Sequence, residues 1–345
     1  RGTQKEAVTA YKTLRPDQPL WAWIGKLGVI GCFVMLSFYS VVGGWIFIYS
    51  GVSVVGGVIT PDMNPGDFFN HVIGTPWIAL LGLGLFTLAN VIVIALGVQN
   101  GIEKANKVMM PLLFILFIIL VIRALTLDGA AEGLKFFLYP DFSKTTGESL
   151  LFALGQSFFA LAVGFSCLVT YSSYLKKDVS LPQSAGWVVG LTIFVSLLAG
   201  LAIFPVVFTF GIEPAEGPGL LFMVLPAAFS QLAFGEVFLS MFLILFLFAT
   251  LTSSFSMYEI IVAALIEKFQ TTRAKLTIIL GIIVFIVSIP SALTFSVLSD
   301  FTLFGKSIFD LTDFFVSNML LPLGNLLIAI FLVYAMDKQF VKTEL

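Results

Sequence analysis

Polar side chains set inside long apolar stretches are where this sequence could do chemistry. In FATLTSSFSMYE, Ala249, Thr252, Ser253 and Ser256 recur at i, i+3, i+4 and i+7, so they share one helix face. Hydroxyls and a carbonyl on one face offer the oxygen ligands that a small hard cation takes. The same spacing also describes a seam of small residues between packed helices. In GQSFFALAVGFSCLVTYSSY, Gln156 stands in apolar sequence flanked by Gly155 and Gly164. Glycine and small residues let a membrane helix break where it lines a cavity, freeing backbone groups for a ligand. They equally let two intact helices approach closely.

Other positions carry the same double reading. Glu259 lies one turn beyond the hydroxyl face. An ionisable group there is expensive and points to function, or to a structural ion pair near the helix end. Met35 and Tyr39 lie one turn apart. The tyrosine could offer its hydroxyl to a carboxylate, or it is a satisfied core residue. Asp310 and Asp313 begin an apolar stretch, where the helix dipole alone favours acids; a gating role is the sharper alternative. In GIEKANKVMMP, Gly101 and Pro111 open another stretch. A glycine followed by a residue with no N–H donor makes a hinge or an ordinary weak first turn.

The elements that position these residues must be membrane helices. The chain has 345 residues, 59% hydrophobic and 11% charged, with a mean hydropathy of +1.04. A soluble domain carries about 25% charged residues, and such an apolar chain could not cover itself in water. The 37 phenylalanines suit lipid-facing and pocket-lining surfaces. Eight spans are expected, over 21–58, 77–98, 104–127, 149–175, 184–211, 236–266, 274–298 and 306–336, in a single transmembrane domain covering 1–345. The alternating pattern of a membrane barrel is absent, so the fold class is all-α integral membrane protein.

Charge sets the expected orientation. With the N-terminus inside, fourteen of the 18 basic residues fall on the cytoplasmic side and only Arg123, Lys135, Lys144 and Lys306 on the other. The outer loops are acidic instead, with Asp62, Asp67, Glu213, Glu216 and Asp300. Both termini are then cytoplasmic, at a cell membrane. A net charge of −2 gives nucleic acid no purchase. Cys32 and Cys167 sit in apolar helices without disulfide or zinc spacing, and the single His71 is isolated in a polar loop. No Ser-His, HExxH or paired intramembrane aspartate constellation occurs, so no enzyme and no cofactor is expected. The polar opening RGTQKEAVTAYKTLRPDQPL and the close at DKQFVKTEL read as a chain cut at both ends.

The motifs FYSVVGGW, GIEKANKVMMP, FFLYPDF, GQSFFALAVGF, VTYSSYLKKD, FATLTSS and FDLTDF occur together and in order. In this they resemble the neurotransmitter:sodium symporter family, and its bacterial amino-acid members most. The likeness covers nearly the whole chain. It implies the family's inverted-repeat fold, with the eight spans matching the third to tenth helices. It implies sodium-coupled symport of a small solute, an apolar or aromatic amino acid, by alternating access. It further implies that the first two helices lie outside this chain. In the family the broken first helix supplies ligands to both sodium ions and to substrate, so the chain alone is expected to be inactive. A cation-coupled transporter of related fold with a different solute, and a non-transporting fragment, are the alternatives.

Residue by residue, the resemblance implies a substrate pocket of Met35, Tyr39, Phe159, Ala160, Ala162, Phe165, Ser254 and Met257. Tyr39 would bond the substrate carboxylate and Phe159 would close the outer lid. One sodium site would use Ala249, Thr252 and Ser253. At the other, Ala160 stands where the family usually has Thr or Ser, and Thr192 where it has Asn or an acid. Asp313 matches the outer gate, and Gly101 and Pro111 the hinge. Gln156 and Ser196 match positions near a chloride site that also uses the hydroxyl absent at Ala160, which points away from chloride dependence. Substrate, sodium ions and the bilayer are the expected partners.

Overall fold

The computed structural model describes residues 1–58, 65–139, 141–211 and 219–344, and the side chains within them except at 144, 267 and 343. Asp62, Glu213 and Glu216, expected in outer loops, lie outside the described residues. Fifteen α-helices form among the described residues: α1 (Ala7–Leu14), α2 (Ala22–Val54), α3 (Pro65–Gly74), α4 (Pro76–Ala95), α5 (Glu103–Leu125), α6 (Ala130–Leu138), α7 (Gly147–Ala160), α8 (Cys167–Ser173), α9 (Leu181–Thr209), α10 (Leu225–Ser230), α11 (Gly235–Phe269), α12 (Arg273–Ala292), α13 (Ile308–Phe314), α14 (Leu321–Ile330) and α15 (Lys338–Glu344).

Seven helical runs among the described residues are long and apolar enough to cross a membrane: Pro19–Val54, Pro76–Ala95, Val98–Leu125, Leu181–Thr209, Gly235–Ile266, Arg273–Ala292 and Ile308–Ala335. The remaining expected span, 149–175, is two pieces, α7 of 14 residues and α8 of 7. Neither alone reaches the ~20 residues that cross the hydrocarbon. The run Ile308–Ala335 includes π-helical turns at Phe315–Leu320 and Phe331–Ala335.

The centre of the molecule is α2, which packs along α11, α4 and α12. Helices α5, α6 and α9 form a second pack. The Val54 half of α2 is fixed by an aromatic cluster. The Trp45 ring stacks on Phe309 at 5.6 Å and meets Phe69, Phe222 and Phe295 edge-on at 5.8, 6.0 and 5.7 Å. Such ring pairs add stability beyond the area they bury, and here they tie four separate segments to one helix. The far side of α12 presents Ile278, Ile282 and Ile286 outward at i, i+4 and i+8, a stripe that only lipid would solvate well.

Candidate functional site

The break between α7 and α8 is the site's organising feature. Backbone φ turns positive at Ala162 (+51°), Gly164 (+101°) and Ser166 (+62°). Only glycine takes this region freely, so Ala162 and Ser166 each store strain of about 1–2 kcal/mol. Such strain persists only where surrounding structure holds it, and it collects at functional sites. The surroundings here are specific. Asn325 Nδ2 donates to the Val163 carbonyl at 3.3 Å, and Cys32 Sγ lies 3.5 Å from the Phe165 carbonyl. A Cβ at Gly164 would come within 2.9 Å of the Leu321 carbonyl, and one at Gly324 within 2.6 Å of the Gly164 carbonyl. Glycine at both places is what lets α14 lie against the break.

A cavity of about 330 Å³ opens beside the break, within the size of small-molecule sites. Met35 and Tyr39 line it from α2, and Met257 from α11. Phe159, Ala160, Ala162 and Phe165 line it from the broken segment. Among the described residues, no lining side chain carries a formal charge at neutral pH. Tyr39, Ser253 and Ser256 bring hydroxyls to an otherwise apolar wall.

Ser254 does not join this wall. It is fully buried, and its Oγ lies 2.5 Å from Asn90 Oδ1 on α4 and 2.9 Å from the Leu251 carbonyl. Conversely, Cys32, Cys167 and Ile260 line the cavity without having been singled out for a binding role, and Ser256, expected only as part of the hydroxyl face, lines it too. Cys32 shares the α2 face of Met35 and Tyr39 at i, i+3 and i+7, a spacing that marks it once that face is known.

On α11, Ser253 lines the cavity, and Thr252 Oγ1 donates to the Ala249 carbonyl at 2.9 Å. Ala160 also reaches a second space of about 520 Å³, where it meets Gln156, Thr192 and Ser196. The Thr192 hydroxyl there donates to the Val188 carbonyl at 2.8 Å. Phe159 reaches a third space of about 370 Å³, shared with Gln156 and Asp313. Asp313 Oδ1 accepts from Ser317 Oγ at 2.9 Å. Asp310 instead pairs with Ser307, whose Oγ caps the Asp310 N–H at 3.1 Å, which is the plainer helix-start role.

Two features close the far ends. Glu259 is fully buried and pairs with Arg273, while Tyr174 donates to its Oε1 at 2.7 Å. Arg273 Nε also donates to the Ile94 carbonyl at 2.9 Å. This is the structural ion pair, and it joins α11, α12, α4 and the end of α8. Gly101 sits in a π-helical turn, Val98–Ile102, where any side chain would run into the Val93 carbonyl. Pro111 lies inside α5, which continues through it.

A broken helix lining an uncharged cavity, with hydroxyls on the facing helix, is the arrangement of a solute transporter. The model of the sodium:neurotransmitter symporter family matches residues 73–343. The chain belongs to that family. As a member of the sodium:neurotransmitter symporter family it is a membrane symporter and not an enzyme. An uncharacterised sodium-dependent transporter of Bacillus subtilis (strain 168), YhdH, is 50% identical over 347 residues, covering 100% of this chain and 76% of that protein. One from Haemophilus influenzae is 42% identical over 332 residues, 94% of this chain and 72% of that protein. The fold matches the crystal structure of MhsT in complex with L-phenylalanine, at a TM-score of 0.91 and 40% identity over 99% of this chain and 78% of that one. The family resemblance carried by the sequence motifs and the all-helical membrane fold both agree with these findings.

Proposed function

We propose that the protein couples sodium entry to uptake of a small apolar or aromatic amino acid by alternating access. The observation that carries this reading is the cavity beside the α7–α8 break. Met35, Phe165 and Met257 give it apolar walls, and Tyr39 gives it one hydroxyl suited to a substrate carboxylate. The relative MhsT was crystallised with L-phenylalanine, an amino acid of this class. Ala249, Thr252 and Ser253 form one half of a sodium cage on α11, and Ala160 with Thr192 contributes to a second. Broken helices complete such cages with unwound carbonyls. Asp313 and Phe159 act at the outer gate, and both chain ends face the cytoplasm.

The decisive assay is uptake by the full-length protein in proteoliposomes under a sodium gradient, with all twenty amino acids as competitors. Phe, Trp, Tyr, Leu or Met should compete best. Best competition by Lys, Arg, Asp or Glu would overturn the substrate class. Uptake without sodium would overturn the coupling.

A further inference from the structure

At the Ala22 end of α2 lies a groove of about 760 Å³ that borders neither the cavity nor the break. It is formed between α1, α2 and α11. Trp23, Lys26 and Ile30 stand at i, i+3 and i+7, so α2 turns one face to it. Trp23 is 52% exposed and Ile30 46%. Leu265 and Lys268 come from α11 and Lys12 from α1. The groove thus has an apolar floor and three ammonium groups around it.

The charge is not spent internally. Among the described lining residues Glu6 is the one carboxylate, and its two oxygens accept the Val8 and Thr9 N–H groups at 2.7 Å each. Glu6 is therefore occupied in capping α1. Lys12, Lys26 and Lys268 form no ion pair among the described residues. The Lys26 ammonium lies 4.4 Å from the centre of the Trp23 ring. Lys26 is four residues into α2, about 6 Å along its axis. That is the depth at which a spanning helix leaves the hydrocarbon, where a tryptophan and a snorkelling lysine are both at home.

We propose that this groove holds one anionic phospholipid, its phosphate among Lys12, Lys26 and Lys268 and an acyl chain along Ile30 and Leu265. Among the described residues nothing covers the Trp23–Ile30 face, and an acyl chain is the apolar group that a bilayer supplies to such a floor. Three unpaired lysines at the headgroup level then select for negative charge. A free phosphate ion would gain the rim and nothing from the floor, which is why the lipid is the better occupant. The leaflet is the inner one if the proposed orientation holds; the binding itself does not depend on orientation or on the substrate.

The test uses the delipidated full-length protein in a neutral detergent, followed by native mass spectrometry. Phosphatidylglycerol and phosphatidylcholine with identical chains are titrated separately. Phosphatidylglycerol should be retained roughly ten- to hundredfold more tightly, and the triple variant Lys12→Gln, Lys26→Gln, Lys268→Gln should bring it to the phosphatidylcholine level. Equal retention of the two lipids, or an unchanged triple variant, overturns the site. Displacement of phosphatidylglycerol by inorganic phosphate at comparable concentration overturns the lipid as occupant. A second measurement covers the case in which the triple variant does not fold. Brominated phosphatidylglycerol should quench tryptophan fluorescence more than brominated phosphatidylcholine, and Trp23→Phe should abolish the excess. An excess that survives Trp23→Phe also overturns the proposal.

Discussion

Ser253 and Ser254 are neighbours in sequence and face different worlds. One residue is 100° of helix rotation. Ser253 therefore lines the same cavity as Tyr39, while Ser254 is buried against Asn90 on α4. The shared face of Met35 and Tyr39 was legible from their spacing, because periodicity fixes which residues look the same way, whereas Met257 was named only through the family resemblance. The role of Ser254 was not, because its partner is a distant asparagine with no pattern to announce it. Cys32 escaped for another reason: a thiol reads as a small core hydrophobe. Two predictions follow at this scale. Ser254→Ala should leave buried Asn90 Oδ1 short of a donor and cost about 1–3 kcal/mol of stability. Substrate affinity should stay the same, as thermal unfolding and binding measured on one preparation would show. Thr252→Val with Ser253→Ala should instead lower sodium affinity by roughly tenfold to a hundredfold, since each lost oxygen contact to the ion is worth about 1–3 kcal/mol. Uptake against sodium concentration reads this directly. Superimposed curves would make the hydroxyl face a packing seam and no more.

The elements show where helix length misleads. The apolar run 149–175 is long enough for one span, and its glycines left breaking and close packing equally open. What decides is three-dimensional. The Gly164 carbonyl lies against Gly324, and Asn325 takes the Val163 carbonyl, contacts that join segments some 160 residues apart. A window on one segment cannot contain them. Gly164→Ala would place a Cβ at a φ of +101° and 2.9 Å from the Leu321 carbonyl. The combined strain and clash should cost about 1–3 kcal/mol and abolish most uptake, because the break itself shifts. Near-normal uptake at normal expression would show that the break is not essential. The Glu259–Arg273 pair works at the same scale, since it joins helices rather than ligands. Removing Arg273 alone strands a buried carboxylate, which costs about 3–5 kcal/mol. Arg273→Gln should therefore lower the unfolding temperature more than the double variant Glu259→Gln, Arg273→Gln. A double variant no more stable than the single would assign the loss to the Arg273 bond with the Ile94 carbonyl.

For the whole molecule, charge gives the expectation of orientation, because it sums over every loop and needs no contact to be known. Fourteen of the 18 basic residues fall to one side of the expected spans. The fold gives this bias a physical axis. Arg273 begins α12 and is tied through Glu259 to Tyr174, two residues before Lys176. Lys306 lies beyond the other end of α12, in the turn that bridges Leu303 and Lys306. A helix of 20 residues separates the two ends, about 30 Å, which is the thickness of the hydrocarbon. Lys176 and Lys306 are both exposed, and they should therefore face opposite sides of the membrane. We predict that Lys306→Cys is labelled on intact cells by a membrane-impermeant maleimide, and that Lys176→Cys is labelled only after permeabilisation. Cys32 and Cys167 contribute little background, being buried and half-buried. The reversed pattern would place both chain ends outside. Labelling of both positions on intact cells would break the assignment of opposite faces, and with it the reading of α12 as a span.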